Sequence, residues 1–559
     1  MFRRLILIFS ITASLLAPTI ASFADDADEV KVLDMKRHEV DGDGWLGISF
    51  EDVIDSYLPS RLAQAKGNRF NGEFDDALIC SGPQDPLCGK AEYFWDVRSV
   101  LAECATASQT NCIESLSATL PNGSVINGTV SSRWNEWSKF PEDSAAGIPA
   151  GGEQLTWKLP GANPGGSEEF ALLPVLSASG NSGQISYNIL NVVLRPITVV
   201  NGSYMKASSS VGKRGNGIGI FSDTTANELG CVIAETTRCA KAVSFKDLNI
   251  QYTVKIRLAR YVQPWLHGRL FEPSIDTQNL GGTSNVLTVT AKPLQIPIVG
   301  GWKKWTELPE SIKTRYPFGA GGTTANADDW TNPDITKRIL RNMQPPAGNR
   351  AILEFKEWNP LFSDKPFTMK TMWTVRTIQN MNQEVAGCSK QGFSGLVTTN
   401  AAVYSDGPPT YTKSTGSLDY VVGAPHYDTK GEVLNGTYGL IMRSDVARCI
   451  YGFGTAPISA KIEIASENGT PSVAVTTISQ NADWMRLFAA GFHYSTPQIK
   501  VKLTEDKPAP AVSPTPQASA APTAAASPKP AVKKITCAKG KIKKTITGTK
   551  CPSGYKKVA

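Results

Sequence analysis

Ile250-Gln251-Tyr252-Thr253-Val254-Lys255-Ile256-Arg257-Leu258 alternates apolar and polar side chains without a break. On a pleated strand every second side chain points to the same face, so this pattern packs one face and leaves the other polar; a helix would scatter it. Gln184–Leu194 and Val286–Thr290 read as further strands. Asn122-Gly123, Asn127-Gly128 and Asn201-Gly202 supply turns, because Asn and Gly accept positive φ cheaply. The composition agrees: 48 Gly, 36 Pro and only 19% charged residues suit a turn-rich β protein. The expected fold class is therefore mainly β, with β-sandwich modules. A chain of 559 residues outgrows one core and predicts about three or four units.

The two ends have a different composition. Arg3-Arg4, the apolar run Leu5–Leu16 and the small-x-small triplet Ser22-Phe23-Ala24 read as a secretory signal peptide over 1–24. No later stretch is long and apolar enough to predict a membrane span in the mature chain. Pro508–Pro530 is almost wholly Pro, Ala, Ser and Thr, which cannot bury a core and favours an extended linker. Beyond it lie Lys533, Lys534, Lys539, Lys541, Lys543, Lys544, Lys550, Lys556 and Lys557, with no acid among them. The net charge is +7; taking away the two arginines of the signal and the ten lysines after Lys507 leaves the body at −5. A basic total that resides in the tail gives no reason to expect nucleic-acid binding by the body.

All ten cysteines lie in the part expected to be exported, as Cys80 and Cys88, Cys104 and Cys112, Cys231 and Cys239, Cys388 and Cys449, and Cys537 and Cys551. An even count in an exported chain reads as disulfides. The spacing suggests neighbour pairing but does not fix it. No C-x-x-C knuckle occurs, which argues against zinc.

The region 25–117 reads as small, helical and disulfide-bonded. Glu39, Asp41 and Asp43 at alternate positions before Gly44 resemble the start of a calcium loop, since alternation aims three side-chain oxygens at one centre. Position twelve of that loop is Phe50, and the plain alternative is an Asp/Gly turn before a helix capped by Ser49 with Asp52 as its box partner. Helices are expected at Phe50–Ala65, despite Pro59, and at Glu92–Ala105.

The other expected divisions are a β-rich domain over 118–300, an α+β or β domain over 301–430, an immunoglobulin-like sandwich over 431–506, a linker over 507–532 and a basic disulfide module over 533–559. Within the first of these, Trp265, His267 and Arg269 form a candidate binding corner. Trp and Arg suit sugar stacking or anion binding, and the competing reading is a buried structural corner. Gln391-Gly-Phe-Ser394-Gly is one residue short of a nucleophile elbow, and the four histidines are scattered, so no catalytic residue is assigned. The sandwich rests on strands expected at Gly436–Met442, Ala447–Phe453, Ile458–Ala465, Ser472–Ser479, Trp484–Phe488 and Gln498–Leu503.

Leu434-Asn-Gly-Thr-Tyr438-Gly-Leu-Ile-Met-Arg443-Ser, Arg448-Cys449-Ile-Tyr451-Gly452-Phe453, Trp265–Leu270 and the Lys/Cys-rich end resemble uncharacterised exported actinobacterial surface proteins with an Ig-like module and a C-terminal tag. The resemblance covers about a third of the chain. It implies a cell-surface protein and brings no catalytic residues. The expected function is thus an exported surface protein with binding or structural work. Its tail would meet anionic wall polymers, and its body an unidentified glycan or protein. The alternatives are a secreted carbohydrate hydrolase, which needs only two placed acids, and a calcium-stabilised adhesin.

Overall fold

The computed structural model describes residues 26–31, 33, 45–52, 57–67, 73–223, 230–315, 341–343, 348–378, 383–389, 392–454, 458–465, 475–480, 483–494, 498–505, 534–539, 542–547 and 550–558. The expected signal peptide, the Glu39–Asp43 stretch and the Pro-rich linker lie outside them. The chain divides into two compact units, 1–506 and 507–559.

The first unit is built on one long, twice-buried sheet. Among the unit's strands are β1 (Trp45–Phe50), β2 (Arg61–Lys66), β3 (Asp76–Cys80), β4 (Phe94–Val100), β5 (Glu169–Gly180), β6 (Ser186–Asn201), β7 (Trp265–Arg269), β8 (Thr368–Thr377), β9 (Gly395–Thr399), β10 (Val403–Tyr404), β11 (Asn435–Arg443), β12 (Val475–Gln480) and β13 (Trp484–His493); all but β10 belong to this sheet. The central path runs β3-β2-β4-β5-β6-β8-β7-β9-β11-β13-β12. Every pair on it is antiparallel except β7 with β9.

Both faces of this sheet are apolar, and alternation assigns residues to them. Trp265, Val397, Leu440 and Leu487 feed one core; Leu266, Leu396, Ile441 and Trp484, each next in register parity, feed the other. The strand Gln251–Leu258, read first from the sequence, lies in a second, antiparallel sheet with Ser284–Lys292, Phe271–Gly281, Cys112–Thr119 and Val125–Asn127. Its Tyr252, Val254, Ile256 and Leu258 join the Leu266 core. A third sheet, formed by β10, Ser417–Gly423, Gln498–Glu505 and Ile458–Ala465, covers the Trp265 core instead. The unit is therefore three β layers with two cores between them.

Helix α1 (Asp26–Val30) fastens the N-terminal segment to the central sheet. Buried Glu29 pairs with Arg195 of β6 at 2.7 Å and accepts from the backbone N–H of Thr371 of β8, also at 2.7 Å. Further helices, among them α2 (Asn349–Trp358), α3 (Gln383–Cys388) and α4 (Ser444–Tyr451), border the Trp265 core.

Several local expectations change. The helix expected at Glu92–Ala105 is β4, where Trp95, Val97 and Ser99 alternate inward. The helix expected at Phe50–Ala65 gives way to the end of β1 and to β2; Pro59 stands between them. The strand expected at Ala447–Phe453 is helix α4, and α2 is helical by its burial. Ala351, Ile352, Phe355 and Trp358 repeat at helical spacing and are buried together. Gly452, at φ 68°, closes α4 in the left-handed conformation that favours glycine. The glycine-rich stretch Gly212–Gly219 lies in the hairpin Ser208–Arg214/Gly217–Asp223. Strand pairing also crosses the expected divisions. β11, β12 and β13 extend the central sheet through β9, whereas Ile458–Ala465 and Gln498–Glu505 pair into the third sheet, so the 431–506 strands do not close on one another as a separate sandwich.

All five neighbouring cysteine pairs are disulfides: Cys80–Cys88, Cys104–Cys112, Cys231–Cys239, Cys388–Cys449 and Cys537–Cys551. Such a set belongs to an oxidising environment. Among the described residues no helix is long and apolar enough to cross a membrane. The second unit is a three-stranded antiparallel sheet in the order Ile542–Thr547, Lys534–Lys539, Lys556–Val558. Cys537 and Ile535 are its buried residues, and the disulfide supplies the staple so small a piece needs.

Candidate functional site

A small cleft, about 30 Å³ in volume, opens where the apolar facing of the central sheet stops. Trp265 is the last core residue on that face of β7; the next two side chains on the same face are His267 and Arg269. Arg376 of β8 stands directly opposite His267, and Asn191 of β6 directly opposite Arg376. The register therefore sets Asn191, Arg376 and His267 in one row across three neighbouring strands. Val193, Thr374 and Arg269 form the adjacent row. Tyr404 of β10 and Asp52, two residues beyond β1, complete the lining.

These side chains form one directional network. Arg376 donates to the Tyr404 hydroxyl at 2.7 Å, and that hydroxyl donates to Asp52 Oδ1 at 3.0 Å. Arg269 Nε donates to Asp52 Oδ2 at 2.6 Å, and its Nη1 donates to the carbonyls of Thr399 and Ala401 at 3.0 and 2.7 Å. The His267 ring stacks flat on Tyr404, with centroids 3.9 Å apart, and the Arg269 guanidinium lies 4.6 Å from the same ring. Tyr404, Arg269 and His267 are all but fully buried. In so dry a place each polar group acts strongly on its neighbours.

The protonation states follow. Burial works to raise the Asp52 pKa, but the charges of Arg269 and Arg376 and the hydrogen bonds from Arg269 and Tyr404 outweigh it and hold the carboxyl below its ordinary value. Burial, helped by the same two guanidinium charges, holds His267 well below the ordinary histidine value, so its ring is neutral near pH 7. Burial pushes the Tyr404 phenol up, and it keeps its proton. His267 Nε2 is buried and has no hydrogen-bond partner among the described residues.

Of the three residues expected to form a binding corner, His267 and Arg269 reach the cleft. Trp265 does not. It is 1% exposed, bonds Ser389 Oγ through Nε1 at 3.0 Å and packs in the core, so it offers no ring for sugar stacking. Its partner in the parallel register is Gly395, where a Cβ would come within 2.3 Å of the indole, so only glycine admits the ring. Asp52, Asn191, Arg376 and Tyr404 went unread in the sequence. Asp52 is the ion-pair partner of Arg269, and Ser49, expected as a helix cap, is the fifth residue of β1. Arg376 is one of two cations in β8, with Lys370, and does not stand out in a strand that also carries four threonines. His426 bonds the Asp364 carboxylate, whereas Asp428 binds the backbone N–H groups of Lys430 and Glu432.

In the tail, Lys539, Lys550, Lys556 and Lys557 are exposed; Lys534, Lys543 and Lys544 lie on its strands, and Lys533 and Lys541 fall outside the described residues. Among the described residues no group of three His, Cys, Asp or Glu side chains is placed to hold a metal ion. The fold and the cleft define a disulfide-bonded, mainly β protein with a buried Arg/Asp/His/Tyr cluster. The chain matches no known protein family, and no curated protein matches it.

Proposed function

We propose that this chain is an exported, cell-surface-associated binding protein: the β-layered body carries the binding cleft, and the lysine-rich unit holds the protein to anionic wall polymers. The observation that carries the binding reading is the cleft itself. Among the described residues its one carboxylate, Asp52, is committed to Arg269 at 2.6 Å, while a second guanidinium, Arg376, lines the cleft without an ion pair. That arrangement recognises a ligand. Glycoside hydrolysis calls for two carboxylates about 5–10 Å apart, one of them free to take or give a proton. The attachment reading is supported by composition: ten lysines and no acid follow Lys507, and lysine meets polyanions as a solvated point charge.

The test is cell fractionation of the full chain beside a variant lacking 533–559, followed by a screen of both against wall and environmental polysaccharides. The full chain should sediment with the wall, the shortened chain should appear in the medium, and both should bind the same ligand. Unchanged wall retention without the tail would remove the attachment role. A body that binds nothing in the screen but cleaves a glycan would replace the binding reading with hydrolysis.

A further inference from the structure

The cleft has a built-in preference for charge. Its lining contributes two guanidiniums and one carboxylate, and the neutral His267 and Tyr404 add nothing. Arg269 and Asp52 satisfy each other at 2.6 Å, and Arg269 is filled further by two carbonyls. Arg376 is left with a phenol hydroxyl as its hydrogen-bond acceptor and makes no ion pair among the described residues. It is partly exposed at the opening, so a solute can reach it.

Donors flank this surplus charge. Asn191 and His267 lie on either side of Arg376 in one register row, at strand spacings of about 5 Å. The Asn191 amide has no protein partner among the described residues and lines the cleft. His267 Nε2 is a buried polar atom without a partner, a state that costs about 1–3 kcal/mol unless something bonds it. A neutral imidazole with its proton on Nε2 is a donor into the cleft. Asp52, in the same wall, repels a second negative charge, which favours a monoanion over a phosphate dianion. A guanidinium matches a carboxylate with two parallel hydrogen bonds. A cavity of about 30 Å³ has room for a carboxylate head group, with the body that carries it left outside in solvent.

We propose that the cleft binds a single small carboxylate, gripped by Arg376 and flanked by Asn191 and His267. The carboxylate can belong to a sugar acid or to the end of a short peptide. This rests on the reading of the body as a binding unit, but not on wall attachment by the tail.

The experiment is calorimetric titration of the full chain with glucuronate and with N-acetylalanine. Their uncharged counterparts, glucose and N-acetylalaninamide, and inorganic phosphate serve as controls. Saturable binding is expected for at least one carboxylate, at least about tenfold tighter than for its neutral counterpart or phosphate. The stronger of glucuronate and N-acetylalanine identifies the source. Arg376→Gln should abolish binding and Asn191→Ala should weaken it. If Arg376→Gln fails to fold, the ring signals of His267 in the wild-type chain carry the test, because they should shift on adding the carboxylate and not the neutral analogue. Equal binding of charged and neutral analogues, no saturation with either carboxylate, or unchanged affinity in both variants would overturn the proposal. If the carboxylates fail while the polysaccharide screen still finds a ligand for the body, only this inference falls.

Discussion

At the scale of single residues, the cleft depends on His267 staying uncharged between two cations. Arg269 and Arg376 face it, Tyr404 covers its ring, and Asp52 is the nearby acid. Its pKa in the folded protein is held well below the ordinary value, so an unfolded chain takes up a proton near pH 6.5 that the folded chain refuses. The stability contribution is therefore complete above about pH 6.5 and is lost as pH falls below it, by at most about 1.4 kcal/mol per pH unit. Asp52 acts in a separate, lower window. Its depressed pKa contributes stability above the ordinary carboxylate value of about 4, lost as pH falls through its folded pKa. Denaturant midpoints at pH 7.5 and 5.5 should fall further for the wild-type chain than for His267→Asn, since the other three histidines are common to both. Equal losses would mean that His267 is protonated in the folded protein.

At the scale of elements, sequence legibility divided along periodicity. Gln251–Leu258 was readable because strict alternation has one structural meaning. Short apolar runs were not: α2 and α4 offer the same residues to a strand or a helix, and burial against a core decides between them. The cleft was half legible. His267 and Arg269 sit two apart on one strand, so their shared face could be read. Asp52, Asn191, Arg376 and Tyr404 come from four distant segments, and only strand register brings them together. The disulfides also differ at this scale. Cys388–Cys449 ties α3 to α4 across 61 residues, whereas Cys104–Cys112 closes eight. In the chain-entropy account these loops are worth about 4 and about 2.5 kcal/mol. Replacing Cys388 and Cys449 by Ala should therefore lower the thermal midpoint more than replacing Cys104 and Cys112. The opposite order would show that local strand geometry, not loop closure, sets their value.

At the scale of the whole molecule, charge and cohesion separate along the same line. The body carries a net −5 and its own two large cores; the end unit carries lysines without acids and its own disulfide. Each unit is compact by itself. Removing 507–559 should then leave the thermal midpoint of the body unchanged while abolishing attraction to polyanions. On a column of immobilised anionic polymer at pH 7.5, the full chain should be retained and released by salt. The screening length shrinks from about 30 Å at 0.01 M to about 8 Å at 0.15 M, and exposed lysines lose their reach accordingly. The shortened chain, net negative, should pass through at every salt concentration. Retention of the shortened chain would place the polyanion contact on the body, and a lowered midpoint would show that the tail supports the fold.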